Sequence, residues 1–317
     1  MLSDKQEVLK IVEGGFEINT AFTPAALYEL AKMDGAIILT EDAKKVIAAN
    51  VQLTPDSIIP SSETGIRHRT AERVAKQTGA VIISISQRRE IITLYTSMFK
   101  YILRDVGVIL TKANQAIQTL EKYRSVLNQL MLELSKLEFE DAVTLHDVVK
   151  AIQRTEMLLR VVEEIEYYIS ELGSDGRMIA MQLDELLAGV REEGLLVIQD
   201  YSIDEEETSE EILDIMRELP SENLLDLLSI ARILGYSGDQ NILDQNITPR
   251  GYRMLRKIPR LPIPVIENLV LTFGVLPRIL NADIKQLDEV EGIGEVRARS
   301  IKYGLTRYKD KLLQNRY

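Results

Sequence analysis

The first third of the chain alternates short apolar runs with segments whose apolar residues recur every three or four positions. Ala36–Leu39 and Val46–Ala49 read as strands separated by the polar turn Thr40–Lys45, and Val81–Ser86 and Ile91–Tyr95 as a second pair joined by Gln87-Arg88-Arg89-Glu90. Ala25–Lys32 reads as a helix, with Thr23-Pro24 as its cap and first turn. The helix-favouring run Ala71–Gln77 follows Arg69 and Thr70, which places those two at a helix N-terminus. Residues 1–105 thus form a mixed α/β sheet domain. From Val106 the period lengthens. Ile109, Ala113, Ala116, Leu120, Tyr123, Leu127, Leu130, Leu134 and Leu137 make one heptad-like seam. Val149, Ile152, Leu159, Val162, Ile165, Ile169 and Leu172 make a second, ended by Gly173. A third helix is expected from Arg177 to about Gln199. Two seams with a short break fit antiparallel packing, so residues 106–245 read as a helical-bundle spine. The run Asp204-Glu205-Glu206-Glu207 reads as a solvated loop or helix start. From Asn246 to the end, two hairpins lie between short amphipathic helices. The fold class is α+β and multidomain.

Charge sharpens this division. Residues 246–317 carry 14 Lys/Arg against 7 Asp/Glu, a balance of +7; the other 245 residues carry 24 against 42, or -18, giving the net -11. An acidic body with a basic tail suits a protein whose tail alone meets polyanions. Cys is absent and only two His are present, which excludes disulfides, thiolate metal sites and His-rich metal sites. No apolar run is long enough to span a membrane, and Met1–Glu7 lack the apolar core of a signal peptide. A cytoplasmic protein that does not engage membranes is the expectation.

Two stretches carry candidate chemistry. In Thr64-Gly65-Ile66-Arg67-His68-Arg69-Thr70, two guanidiniums flank an imidazole. Arg presents a fixed fork of donors that matches phosphate oxygens. Thr64, Gly65 and Thr70 leave room for backbone N–H groups to reach the same anion, and the following helix adds its dipole. A solvated basic turn is the plain structural alternative. In the tail, Val290-Glu291-Gly292-Ile293-Gly294-Glu295-Val296-Arg297-Ala298 repeats the placing of Ile258-Pro259-Arg260-Leu261-Pro262 some thirty residues earlier. Both read as helix-hairpin-helix units, the first with prolines where glycines are usual. Gly292, Ile293 and Gly294 form the second turn, whose N–H groups can approach a phosphate, and Arg297, Arg299 and Lys302 add charge on the next helix. Such contacts hold a duplex without reading its sequence. A purely structural hairpin is the alternative.

Met33-Asp34-Gly35-Ala36-Ile37-Ile38-Leu39 upstream of the Arg-His-Arg stretch, and Gly79–Ser86 and Ile91–Tyr95 downstream, resemble the diadenylate cyclase domain. Gly14-Gly15-Phe16, Asn19-Thr20-Ala21-Phe22 and Leu27–Lys32 extend the likeness, and the succession of head, spine and hairpins resembles a DNA-responsive member of that family.

The resemblance implies condensation of two ATP into cyclic di-AMP with release of two pyrophosphates, assisted by Mg²⁺ or Mn²⁺. It implies a catalytic set of Asp34, Arg67, His68 and Arg69. Asp34, the carboxylate of the matched motifs, is assigned the metal and the activation of the 3′-hydroxyl; an Asp-Gly turn is the structural alternative. Gly35 allows close backbone approach and Ala36 keeps the space small. Leu53 matches the position that packs on adenine, and is otherwise a core leucine. Ile66–Thr70 match the triphosphate-binding segment, with His68 and Thr70 as hydrogen-bonding partners and His68 as general base ranked below phosphate ligation. Ser86 and Arg88 are placed near the nucleotide. Because each domain holds one ATP, two must face each other across a two-fold axis; the family's octamer would supply this. Branched DNA at the tail would suppress synthesis through the spine. Family members carry roughly forty further residues ahead of Met1, so the domain is expected to be N-terminally short, with an exposed sheet edge. A non-catalytic DNA-binding scaffold with a nucleotide-sensing or degenerate head is the alternative. No Gly-x-x-x-x-Gly-Lys-Ser/Thr loop supports a helicase-like ATPase.

Overall fold

The computed structural model describes residues 6–87, 91–203 and 207–314. The chain divides into two units, Met1–Ile109 and Leu110–Tyr317. Arg88-Arg89-Glu90, expected as a turn, and the acidic residues Asp204-Glu205-Glu206 lie outside the described residues, and with them the expectations for Arg88 and for the acidic run.

The first unit opens with α1 (Gln6–Leu9), β1 (Val12–Glu13), β2 (Phe16–Ala21), α2 (Pro24–Leu30), β3 (Ala36–Leu39) and β4 (Lys45–Leu53). Thr23 caps α2 by accepting the Ala26 N–H at 3.1 Å, with Pro24 at the first helical position. β4 is the hub: β1, β2 and β3 all pair with it antiparallel. Along β4 the buried positions are Val46, Ala49 and Val51. The step of three between Val46 and Ala49 breaks the period of two and marks irregular pairing. Between Ala36↔Val51 and Ile38↔Ala48, β4 carries one residue more than β3. Asn50 lies in that interval with φ +55, a left-handed conformation that Asn tolerates better than most side chains. β2 bulges against the other side of β4 between Glu17 and Thr20, where Asn19 has φ +50.

The unit continues with α3 (Ile66–Thr78), β5 (Ile82–Ser86), β6 (Ile91–Tyr95) and β7 (Lys100–Ile102). The last three form an antiparallel sheet in the order β5-β6-β7. Ala71, Val74 and Ala75 sit on one face of α3 at i, i+3, i+4 spacing. They share one core with Ile38 and Val51 of the first sheet and Ile82 and Tyr95 of the second. α3 starts at Ile66, a turn earlier than Arg69-Thr70, because extended Gly65 (φ -83°, ψ 138°) acts as its N-cap and accepts the Arg69 N–H at 2.8 Å. It stops at left-handed Gly79 (φ +68), whose N–H reaches Ala75 O at 2.9 Å.

The long helix α4 (Val106–Glu140) leads into the second unit, followed by α5 (Leu145–Leu172), α6 (Arg177–Leu187), α7 (Val190–Tyr201), α8 (Ser209–Glu218), α9 (Ser221–Leu225) and α10 (Leu227–Ile233). The seams are buried with local shifts: Ile117 is inside rather than Ala116, Leu158 rather than Leu159, and Tyr168 rather than Ile169. Thr144 and Asp147 form a reciprocal capping box at the start of α5. The expected third helix is two helices. The chain breaks at Ala188-Gly189, where Gly189 is left-handed (φ +71) and the Ala188 carbonyl accepts from the Arg124 guanidinium at 2.9 Å.

Five short or medium helices complete the unit: α11 (Tyr252–Arg256), α12 (Ile263–Phe273), α13 (Leu276–Asn281), α14 (Ile284–Asp288) and α15 (Glu295–Gln314). They enclose a core of their own that also takes in Phe139 of α4. Buried Arg253 of α11 pairs with buried Glu138 of α4 and donates to Ser135 Oγ at 3.1 Å. Asp200 of α7 accepts the N–H groups of Gly251, Tyr252 and Arg253 at 2.7, 2.7 and 3.0 Å, so a carboxylate from another helix caps α11. Removing one partner of such a buried pair leaves an uncompensated charge and costs about 3–5 kcal/mol. These contacts tie residues 246–317 to the helices before them.

Candidate functional site

Asp34 stands two residues before the first residue of β3, with its side chain 95% exposed, and Arg67 lies in the first turn of α3, 73% exposed. The fold brings them together: Arg67 Nη2 donates to Asp34 Oδ1 at 2.6 Å. Gly35 has a steric reason to be glycine. A Cβ there would lie 2.3 Å from the Asn50 carbonyl carbon and 2.5 Å from its Cα, distances no real side chain tolerates. Its N–H donates to Asn50 Oδ1 at 3.1 Å. Ala36 begins β3 opposite Val51. Leu53 ends β4, half-buried at the margin of the core shared by the sheets and α3.

The basic stretch divides into unequal parts. Because the α3 ladder begins at Arg69, the N–H groups of Ile66, Arg67 and His68 have no acceptor within the helix. Ile66 is 81% exposed, unusual for an isoleucine beside a helix N-terminus. Arg67 is the outward guanidinium. Arg69 turns back, donating to the carbonyls of Glu63 at 3.3 Å and Thr64 at 3.1 Å. It therefore holds the turn that precedes Gly65. His68 packs edge-on against Tyr95, with ring centroids 6.5 Å apart and an interplanar angle of 75°. Thr64 and Gly65 are exposed, and Thr70 is half-buried.

A ring of polar contacts fixes this turn to the rest of the unit. The Glu63 carboxylate accepts the Tyr95 hydroxyl at 2.8 Å and pairs with Lys100 of β7. The Lys100 ammonium holds Glu63 below the usual carboxylate range, with burial opposing. Burial and the adjacent Glu63 push the Tyr95 hydroxyl up. Glu72, on the inner face of α3, accepts from Ser61 Oγ, the Ser62 N–H and Lys76. Burial alone would raise Glu72, but those three donors hold it at about 2. Sequence reasoning missed Asn50, Glu63 and Glu72. An Asn inside the apolar run Val46–Val51 is a bulge signal that could have found the first. Glu63 and Glu72 depend on contacts that only the fold creates.

As for a metal, the described residues contain no cluster of three or more His, Cys, Asp or Glu able to hold an ion. The exposed Asp34 carboxylate suits Mg²⁺ or Mn²⁺ only if phosphate oxygens and water complete the coordination, the usual arrangement for Mg²⁺ at a nucleotide site.

In the tail, the two hairpins are alike residue by residue. Ile258 and Leu261 are buried in the first, Val290 and Ile293 in the second. Arg260 has φ +62 where Gly292 has φ +82. Ile293 is thus a core residue, whereas Gly292 and Gly294 are exposed and a Cβ at Gly294 would meet open space. Arg297 and Arg299 are exposed on α15; Arg297 bonds the Gly292 carbonyl and Arg299 pairs with Glu295 at 2.5 Å. Lys302 is half-buried and donates to the carbonyls of Leu280 and Ala282 at 2.6 and 2.8 Å, at the end of α13.

Two family descriptions match the chain: "DisA bacterial checkpoint controller nucleotide-binding" over residues 1–98 and "DisA bacterial checkpoint controller linker region" over residues 103–243. Similar proteins carry the name DNA integrity scanning protein DisA. That of Carboxydothermus hydrogenoformans is 63% identical over 312 residues, covering 98% of this chain and 89% of that protein. That of Symbiobacterium thermophilum is 58% identical over 310 residues, 98% and 87% of the two chains. That of Clostridium acetobutylicum is 56% identical over 313 residues, 99% and 87%.

Proposed function

Because the chain belongs to the DisA family, we propose that it is a diadenylate cyclase that joins two ATP into cyclic di-AMP and releases two pyrophosphates. The observation that carries this reading is the meeting of Asp34 and Arg67, one carboxylate and one outward guanidinium 2.6 Å apart beside a helix N-terminus. On ATP binding the Arg67 fork exchanges the carboxylate for triphosphate oxygens, and the free N–H groups of Ile66, Arg67 and His68 meet the same anion. Arg69 keeps that turn in shape. Leu53 and Ile66 offer apolar surface to the adenine. Asp34, released, takes the proton of a ribose 3′-hydroxyl as that oxygen attacks the α-phosphorus of the facing nucleotide. The bond from α-phosphorus to the bridging oxygen breaks in line, and pyrophosphate leaves with the electron pair. The same exchange in the opposite direction closes the ring. Asp34, with phosphate oxygens, would hold Mg²⁺ or Mn²⁺, which would supply charge neutralisation.

The reaction needs two heads related by a two-fold axis, so the active species is a homo-oligomer, in this reading an octamer. Three segments follow: a cyclase domain over 1–105, a helical spine over 106–245 and a tandem hairpin domain over 246–317. The last binds DNA without sequence preference, branched DNA in particular, through the Gly292–Gly294 turn and Arg297 and Arg299. DNA bound there regulates synthesis in the cytoplasm. Incubation with ATP and Mg²⁺ or Mn²⁺, followed by chromatography and pyrophosphate assay, tests the reaction. The expected result is a cyclic dinucleotide with two pyrophosphates per product; linear products alone, or none with either metal, contradict it.

A further inference from the structure

Asn50 sits where a strand should carry a β-branched or aromatic residue, and two features explain why it is Asn. Its φ of +55 lies in the left-handed region, which Asn enters at lower cost than Val or Ile. Its side-chain oxygen accepts the Gly35 N–H at 3.1 Å. The contact is as close as a backbone can come: a Cβ on Gly35 would sit 2.3–2.7 Å from three Asn50–Val51 backbone atoms. The extra β4 residue between Ala36↔Val51 and Ile38↔Ala48 places Asn50 there. Asp34 is the very next residue before Gly35. A peptide N–H held at Gly35 fixes the Asp34–Gly35 peptide plane, and with it the direction in which the Asp34 side chain leaves the backbone.

We propose that Asn50 is a positioning residue for Asp34, acting through the Gly35 N–H and not by touching the nucleotide. This deepens the cyclase reading and rests on it. The exposed Asp34 side chain has Arg67 as its one side-chain partner among the described residues. Once Arg67 turns to phosphate, the Gly35–Asn50 bond is what keeps the acid on its path. Without it Asp34 samples unproductive directions, while the triphosphate grip at α3 is untouched.

The test is a three-variant series in the full chain, with wild type assayed alongside. Asn50→Gly keeps the left-handed backbone and removes the acceptor. Asn50→Ala removes both. Asn50→Asp keeps left-handed tolerance and an acceptor oxygen. At saturating metal, Asn50→Gly and Asn50→Ala are expected to lose on the order of 10–100-fold in kcat with KM for ATP within about twofold. Asn50→Asp is expected to retain at least about a third of wild-type kcat. Amide hydrogen exchange at Gly35 should accelerate in Asn50→Gly and not in Asn50→Asp, a readout that needs no turnover. Wild-type kcat in Asn50→Gly, or Asn50→Asp as slow as Asn50→Gly, overturns the inference. A wild type that makes no cyclic dinucleotide condemns the cyclase reading instead, and the exchange measurement then still decides whether Asn50 holds the Gly35 peptide.

Discussion

A few single residues decide whether the acid and the phosphate grip can meet. Gly35 is the strictest, because β4 passes so close that a methyl group has no room. Gly35→Ala should therefore push β3 from β4, with about 1–3 kcal/mol lost in stability and cyclase product lost along with it. Denaturant titration beside the product assay checks this; wild-type stability and activity would show that β4 yields freely. At this scale much was legible. The Asp-Gly-Ala and Arg-His-Arg stretches stand out through their resemblance to the cyclase motifs, since each alone also reads as an ordinary turn. What could not be read was division of labour. Arg67 and Arg69 look equivalent in sequence, yet one faces out to Asp34 and the other is bound to the carbonyls of Glu63 and Thr64. Lys302, read as a phosphate cation, donates to the carbonyls of Leu280 and Ala282. Those differences arise from partners that only chain reversal supplies.

Among the elements, α3 carries the most. Its outer end presents Arg67, and its inner face joins the two sheets. Glu72 ties that face to Ser61, Ser62 and Lys76 and is held at about 2, below the usual 4.5. Its folded pKa is thus below the unfolded one. The stabilisation, on the order of 3 kcal/mol, is complete above the unfolded value and fades as pH falls from about 4.5 to about 2. Glu72→Gln should lower stability at neutral pH and flatten the acid limb of the stability profile over that window. Denaturant melts across pH check it, and parallel profiles for the two proteins would refute it. Beside the second hairpin, Arg297 and Arg299 are exposed cations on the first turns of α15. Replacing both by Ala should weaken DNA binding equally across sequences and reduce the slope of log K against log salt by about 2. An unchanged slope would remove them from the interface.

Strand and helix legibility followed burial contrast. β6 is legible to its ends because three of the five residues of Ile91–Tyr95 are β-branched and a fourth is aromatic. β2 was missed because most of its side chains are exposed and no alternation shows. The break at Gly189 was hidden by apolar periodicity on both sides, and α8 was passed over although Thr208 and Glu211 spell a capping box.

For the whole molecule, the acidic body and basic tail suit the proposed division between chemistry in the head and polyanion binding in the tail. No helix among the described residues is long and apolar enough to cross a membrane. Charge asymmetry was readable from composition. The buried Glu138–Arg253 pair and the Asp200 cap of α11 were not, since burial of those charges depends on helices far apart in sequence packing together. If each head holds one nucleotide, as proposed, it cannot close a cyclic dinucleotide alone, so activity per chain should fall on dilution through the dissociation of the proposed oligomer. Constant specific activity down to a monomer seen by light scattering would contradict that.

In the proposed mechanism Asp34 and Arg67 act on one nucleotide, with the carboxylate doing the proton transfer. Its most direct test is cyclic di-AMP formation by Asp34→Asn at saturating ATP and metal, with DNA binding measured on the same preparation. A loss of at least about 10³-fold in kcat is expected, with DNA affinity unchanged. Turnover at the wild-type rate would contradict it.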